Sequence, residues 1–287
     1  MPTASPVDSR SSSPSGPEAR VVPHHRTLAP PERRGGGAPV IHAELRRHYD
    51  KLYDQLLNGR PPRDARPVLD VGTGDGLALA AITQGSPLHG VGVDTAEPGH
   101  WLGPEGWSVI QADAQRLPFC EGSFRSALMV DVFEWLRHPT ATLAEIARVT
   151  NGPILVVQTD WEGLWFQADK SAVGLRADRA EVGRDLVQAF TRGAPDQLRG
   201  RIRAASAEAG LELTSSSVAT ITTGELKPNN LAWDVLESIR RYLVIESAQV
   251  RARRFDDWRA ELQRAADDGQ FTMLLRRIVA LLERRES

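Results

Sequence analysis

The seven residues Asp70 to Gly76 read D-V-G-T-G-D-G, directly after the apolar run Pro67-Val68-Leu69. A glycine-rich turn after a strand lets the backbone approach a ligand closely, because glycine carries no Cβ. The dinucleotide-binding pattern is G-x-G-x-x-G. Gly72 and Gly74 fit it, but Leu77 stands where its third glycine belongs and Gly76 comes one residue early. Asp70 at the strand end would repel a pyrophosphate and attract a cation. S-adenosyl-L-methionine, with its ammonium and sulfonium groups, is such a cation. Asp70, Gly72, Thr73, Gly74 and Gly76 are therefore the first candidate cofactor residues. Two more acidic residues stand at the ends of the next two apolar runs. Asp94 closes "HGVGVD", followed by Thr95, and its carboxylate suits a pair of ribose hydroxyls. Asp113 closes "WSVIQAD" and suits an adenine amino group, with Val93, Ala114 and Leu117 walling the base. Aspartate also favours turns and helix N-caps, and that reading stands beside the functional one at each position.

Methyl transfer from a sulfonium is an in-line displacement that needs an aligned nucleophile, exclusion of water and sometimes a base. "MVDVFEWLRH" follows the fourth strand, at the carboxyl edge where open α/β sheets bind ligands. It supplies Asp131 and Val132 toward the cofactor, Glu134 and His138 as base candidates, and Trp135 toward an acceptor. "QTDWEGLWF" follows the fifth strand. There Asp160, Trp161 and Trp165 are candidates for a pocket that stacks a ring and orients an amine or hydroxyl. Helix capping for His138 and core packing for the tryptophans are the structural alternatives.

These residues need a scaffold that brings strand ends together. "PVLDVG", "HGVGVD", "WSVIQAD", "FRSALMVDVF" and "PILVVQTD" read as strands, and "DGLALAAITQG" and "HPTATLAEIARVTNG" as helices between them. Strands without period-two polarity, separated by helices, indicate an α/β fold with a parallel sheet covered on both faces. Before them, Ile41, Leu45, Tyr49, Leu52 and Leu56 share one helical face. After them come a helix ending at Gly210, a β-prone run, and helices in "NNLAWDVLESIRRYLVIESAQ" and "FDDWRAELQRAADDG". "QFTMLLRRIVALLERR" fits a strand or a helix equally by periodicity.

Residues 1–39 hold eight of the 19 prolines among serine, glycine and arginine, the composition of a disordered tail. The ordered part is expected over 40–287, with a cofactor-binding core at 66–160 and substrate or lid segments at 161–194 and 225–268. A net charge of -2 and interleaved acids argue against nucleic acid as partner. No D/N-P-P-Y sequence follows the fourth strand, and Cys120, the single cysteine, follows Phe119 rather than a proline. One cysteine also excludes an intrachain disulfide and points to a reducing cytoplasm. No apolar run is long enough to span a membrane. No metal site is expected, the partner is a small-molecule acceptor, and a homodimer is left open.

"VLDVGTGDG", "GVGVD", "QADAQRLPF" and "GSFRSALMVDVFEWLRHPTATLAEIARVTNGPILVV" together resemble the class I S-adenosylmethionine-dependent methyltransferases, in the small-molecule branch similar to ubiquinone/menaquinone-biosynthesis enzymes. The resemblance covers about residues 66 to 158. It implies a Rossmann-like, seven-stranded, mostly parallel sheet whose last strand, "QFTMLLRRIVALLER", runs antiparallel, with helices at 231–268 inserted before it as a lid. It implies that Tyr49 or Tyr53 closes over the cofactor. Many relatives carry histidine at the place of Glu134 or Trp135. That departure leaves a second reading, a protein of this fold that binds S-adenosylmethionine without transferring methyl. The arginine-rich composition suggests specialised, natural-product metabolism.

Overall fold

In the computed structural model the described residues are 52, 66–76, 78–80, 88–96, 106–168, 198–228, 230–245 and 249–285. The tail 1–39, Tyr49, Tyr53 and the part of the substrate segment at 169–194 lie outside them.

The elements run β1 (Val68–Val71), β2 (Gly90–Asp94), β3 (Ser108–Gln111), β4 (Ser126–Val130), a 3-10 turn (Phe133–Trp135), α1 (Pro139–Val149), β5 (Ile154–Ala168), α2 (Leu198–Glu208), β6 (Leu211–Thr223), α3 (Leu231–Ile245), α4 (Gln249–Asp267) and β7 (Phe271–Arg284). They form one seven-stranded sheet in the order β3-β2-β1-β4-β5-β7-β6. The first five strands pair in parallel. β7 is antiparallel to both β5 and β6. The ambiguous C-terminal run is thus the expected antiparallel strand. β1 and β4 are buried at every residue, which explains why their mostly apolar sequences show no alternation of apolar and polar residues.

Two apolar layers cover the sheet. α1 starts with Pro139 in its first turn and buries Leu143, Ile146 and Val149, spaced by three residues. With Ile202 of α2 they pack on Leu69, Ala127, Met129 and Val156. On the opposite face α3 buries Leu231, Val235, Leu236 and Ile239, and α4 buries Phe255, Trp258 and Leu262, against Val68, Leu128, Leu155 and Met273. The helical insertion before β7 is present, and its apolar faces are part of the core. Asn230 starts α3, its Oδ1 accepting the Trp233 N–H at 3.0 Å.

β5 departs from the sequence reading. The expected strand ends at Asp160, whereas β5 continues to Ala168 across an irregularity between Asp160 and Trp165. β7 supplies the reason, since its 14 residues give β5 a partner far beyond the end of β4. The second half of β5 also fills the core, with Phe166 edge-on to Trp258 at 5.4 Å.

Gly90 of β2 lies under the ring of Trp107, whose indole donates to the Leu88 carbonyl at 3.1 Å. A Cβ at residue 90 would sit 1.8 Å from the ring. Gly90→Ala is therefore expected to destabilise the fold by about 1–3 kcal/mol or more through overpacking. Urea unfolding measures it, and an unchanged midpoint would contradict this packing.

Candidate active site

β1 delivers Asp70 to the carboxyl edge of the sheet. The turn that follows has left-handed backbone at Gly72 (φ 70°), Gly74 (φ 55°) and Gly76 (φ 81°), which explains the glycine at each position. Asp70 is buried, and its Oδ2 accepts the Thr73 hydroxyl at 2.6 Å. Burial pushes its carboxyl up to about 7, Asp94 adds to the rise, and the Thr73 hydrogen bond opposes it. The turn is hung on β2 by the N–H groups of Gly72 and Thr73, which donate to the Val93 carbonyl at 2.8 and 3.0 Å.

Asp94, at the end of β2, accepts the Gly74 N–H at 2.9 Å on one oxygen and the Ala96 N–H at 2.9 Å on the other. The carboxylate is thereby fixed in direction, and each oxygen keeps lone-pair capacity for a hydroxyl. Thr95 beside it is exposed. Asp113 is exposed, with Oδ1 closing a turn on the Gln115 N–H at 2.9 Å. Ala114 and Leu117 pack on the core layer beneath. This loop is fastened by a residue that the sequence reading did not single out. Glu145 of α1 accepts the Leu117 N–H at 2.8 Å and pairs with Arg148 at 2.8 Å. The turn Asp70–Gly76 contains two aspartates and no basic side chain, so the donor set fits a cation with ribose hydroxyls better than a phosphate.

At the end of β4 stands Asp131, expected toward the cofactor, and its carboxylate is engaged within the sheet. Oδ1 accepts the Thr159 N–H at 2.6 Å and Gln158 Nε2 at 3.4 Å, and Oδ2 pairs with Arg277 Nη2 at 2.6 Å. Both side chains of the pair are buried. Asp131 also holds φ 54°, the one positive φ outside glycine among the described residues. That conformation costs on the order of 1–3 kcal/mol and persists only where surroundings enforce it. Charge-assisted hydrogen bonds of about 1.5–3 kcal/mol each are of a size to do so. Nothing in the spacing pointed to Arg277, because its partner lies 146 residues away.

Val132 follows, packed so closely on the glycine turn that a Cβ at Gly72 would lie 2.3 Å from its Cγ2. Glu134 sits in the 3-10 turn. Its Oε1 accepts the Trp161 indole N–H at 3.1 Å, and its own N–H donates to Gln158 Oε1 at 3.4 Å. Burial, then the charge of Asp131, pushes its carboxyl up to about 7 against the opposing pull of Trp161, Gln158 and Arg201. Glu134 and Trp161 are thus brought together as an acid and an aromatic. His138 is different: it is the exposed N-cap of α1, with its carbonyl accepting the Thr142 N–H at 3.0 Å. Asp160 is paired with Arg276 at 2.7 Å. Trp135 and Trp165 are 39% and 51% exposed, unusually open for tryptophan.

Sheet order, glycine turn and acidic strand ends define the class I methyltransferase fold. Residues 69–154 match the family described as a methyltransferase domain. The chain therefore carries an S-adenosylmethionine-dependent methyltransferase domain and is an enzyme of that kind, with S-adenosylmethionine as its cofactor. Among solved structures, one described as a type II methyltransferase from Anaeromyxobacter dehalogenans is similar at 16% identity, TM-score 0.52, covering 86% of this chain and 98% of that one. YcgJ of Bacillus subtilis is similar at 18% identity, TM-score 0.49, covering 84% and 100%. Geranyl diphosphate C-methyltransferase from Streptomyces coelicolor, solved with S-adenosyl-L-homocysteine, is similar at 12% identity, TM-score 0.44, covering 91% of each chain. No curated protein matches the chain. No helix among the described residues is long and apolar enough to cross a membrane.

A cationic ligand at this edge favours ionised Asp70, whose carboxyl is raised to about 7. Below that pH binding must first remove a proton, so affinity rises with pH. Calorimetry with S-adenosylmethionine is expected to show roughly tenfold tighter binding at pH 7.5 than at pH 5.5, and Asp70→Asn to flatten the difference. An equal pH dependence in the variant would exclude Asp70 as its source.

Proposed function

We propose that the protein methylates a small-molecule acceptor at a nucleophilic oxygen or nitrogen, with Glu134 receiving the acceptor's proton. The observation that carries this reading is the Glu134–Trp161 pair, a carboxyl held by an aromatic side chain two residues along the chain from Val132, which itself packs on Gly72. Bound S-adenosylmethionine supplies an electrophilic methyl group on sulfur.

Asp70, Thr73 and the glycine turn would hold the amino-acid end, Asp94 the ribose, and Asp113 with Ala114 and Leu117 the base. Trp161, with the open faces of Trp135 and Trp165, suits an acceptor that carries a ring. Glu134 is a competent proton acceptor because its carboxyl lies near 7, where it ionises readily yet holds a proton well. His138, exposed at the helix start, is the weaker base candidate. A cytoplasmic role in specialised metabolism is the setting we propose, on composition alone.

The test is incubation with methyl-labelled S-adenosylmethionine and a panel of phenols, amines and polyketide-like acceptors. With an accepted substrate, turnover is expected to rise with pH and level off above about 7, because Glu134 must be ionised. Glu134→Gln is expected to lower kcat roughly 100-fold or more while S-adenosylhomocysteine affinity stays unchanged. An undiminished kcat would remove Glu134 from proton transfer. Tight cofactor binding without label on any acceptor would favour the non-methylating reading.

A further inference from the structure

Arg277 is the buried cation that the chemistry above leaves without a task. It lies on β7, two strands away from β4, opposite Thr159 of β5 in the register. Its guanidinium crosses β5 to reach Asp131 at 2.6 Å, and Thr159 donates its N–H to the same carboxylate at 2.6 Å. Asp131 is thus gripped from two neighbouring strands while its backbone is held left-handed at φ 54°. Its N–H still pairs with the Val157 carbonyl at 2.8 Å, so the chain leaves the sheet at this residue and nowhere earlier.

Two consequences follow for the residues immediately after. Val132 is directed onto Gly72, where no Cβ would fit. The next turn presents Glu134, and Gln158 ties it back, its amide nitrogen on Asp131 at 3.4 Å and its amide oxygen on the Glu134 N–H at 3.4 Å. A relaxed residue at position 131 would swing both away together. We propose that Arg277 is a positioning residue for the cofactor turn: by pinning the Asp131 carboxylate it holds Val132 against Gly72 and so keeps the turn in its binding shape. This rests on the assignment of the glycine turn as the cofactor site, but not on Glu134 being a base.

The experiment measures S-adenosylhomocysteine affinity by calorimetry, beside thermal unfolding, for the wild type, Arg277→Met, Arg277→Lys, Asp131→Asn and the double variant Asp131→Asn/Arg277→Met. Arg277→Met is expected to weaken binding at least tenfold in protein that still unfolds cooperatively. Arg277→Lys, which keeps the charge within reach, is expected to recover most of the loss. The double variant is expected to bind no worse than Arg277→Met alone, because Arg277 acts through Asp131. Should Arg277→Met fail to fold, the lysine variant and Asp131→Asn carry the test: Asp131→Asn must weaken binding and Arg277→Lys must stay within a few-fold of wild type. Wild-type affinity in folded Arg277→Met or in Asp131→Asn, or strictly additive losses in the double variant, would overturn the proposal. Failure of wild-type protein to bind S-adenosylhomocysteine at all would instead overturn the cofactor assignment.

Discussion

The architecture turns on the difficulty of holding carboxylates at the end of a parallel sheet. Each buried negative charge there needs donors, since an unpaired one costs several kcal/mol. Asp70 has the Thr73 hydroxyl, Asp94 has two backbone N–H groups, and Asp131 has Thr159 with Arg277. Among the described residues the donors to Asp70 and Asp94 are neutral, whereas Asp131 meets the Arg277 cation. The negative charge at the glycine turn, complete once Asp70 with its carboxyl near 7 has ionised, is the one left to attract a cationic ligand.

The state of Glu134 is set mainly by burial: it is partly withdrawn from water and stands near Asp131, so its carboxyl is raised although Trp161 and Gln158 oppose the rise. Had Arg277 been placed next to Glu134 instead, the carboxyl would be depressed and useless as a proton acceptor near neutrality. The strand that supplies Arg277 is the antiparallel one. Its length also extends β5 beyond β4 and brings Trp161 over the turn that bears Glu134.

Much of this was legible in the sequence, because the signals are local. The glycines of residues 72–76 announce left-handed backbone, and continuous apolar runs announce buried parallel strands. The place of the last strand in the sheet was open to periodicity, since a strand buried on both faces and a buried helix share an apolar pattern, and resemblance decided it. The side-chain partners of Asp131 were not legible, for a different reason. Position at a strand end is visible in one dimension, but its partners Thr159 and Arg277 come from strands 28 and 146 residues later. Glu145 escaped notice likewise, since an acid in an amphipathic helix looks solvated until the loop that it fastens is seen.

In this reading the carboxyl edge of the sheet is electrostatically shaped for a cationic nucleoside rather than for a diphosphate. Competition calorimetry at pH 7.5 with S-adenosylmethionine, NAD and ATP tests it most directly. Binding of the sulfonium compound, undisturbed by a large excess of either nucleotide, is the result expected. Tight binding of NAD or ATP, with S-adenosylmethionine ignored, would contradict the account.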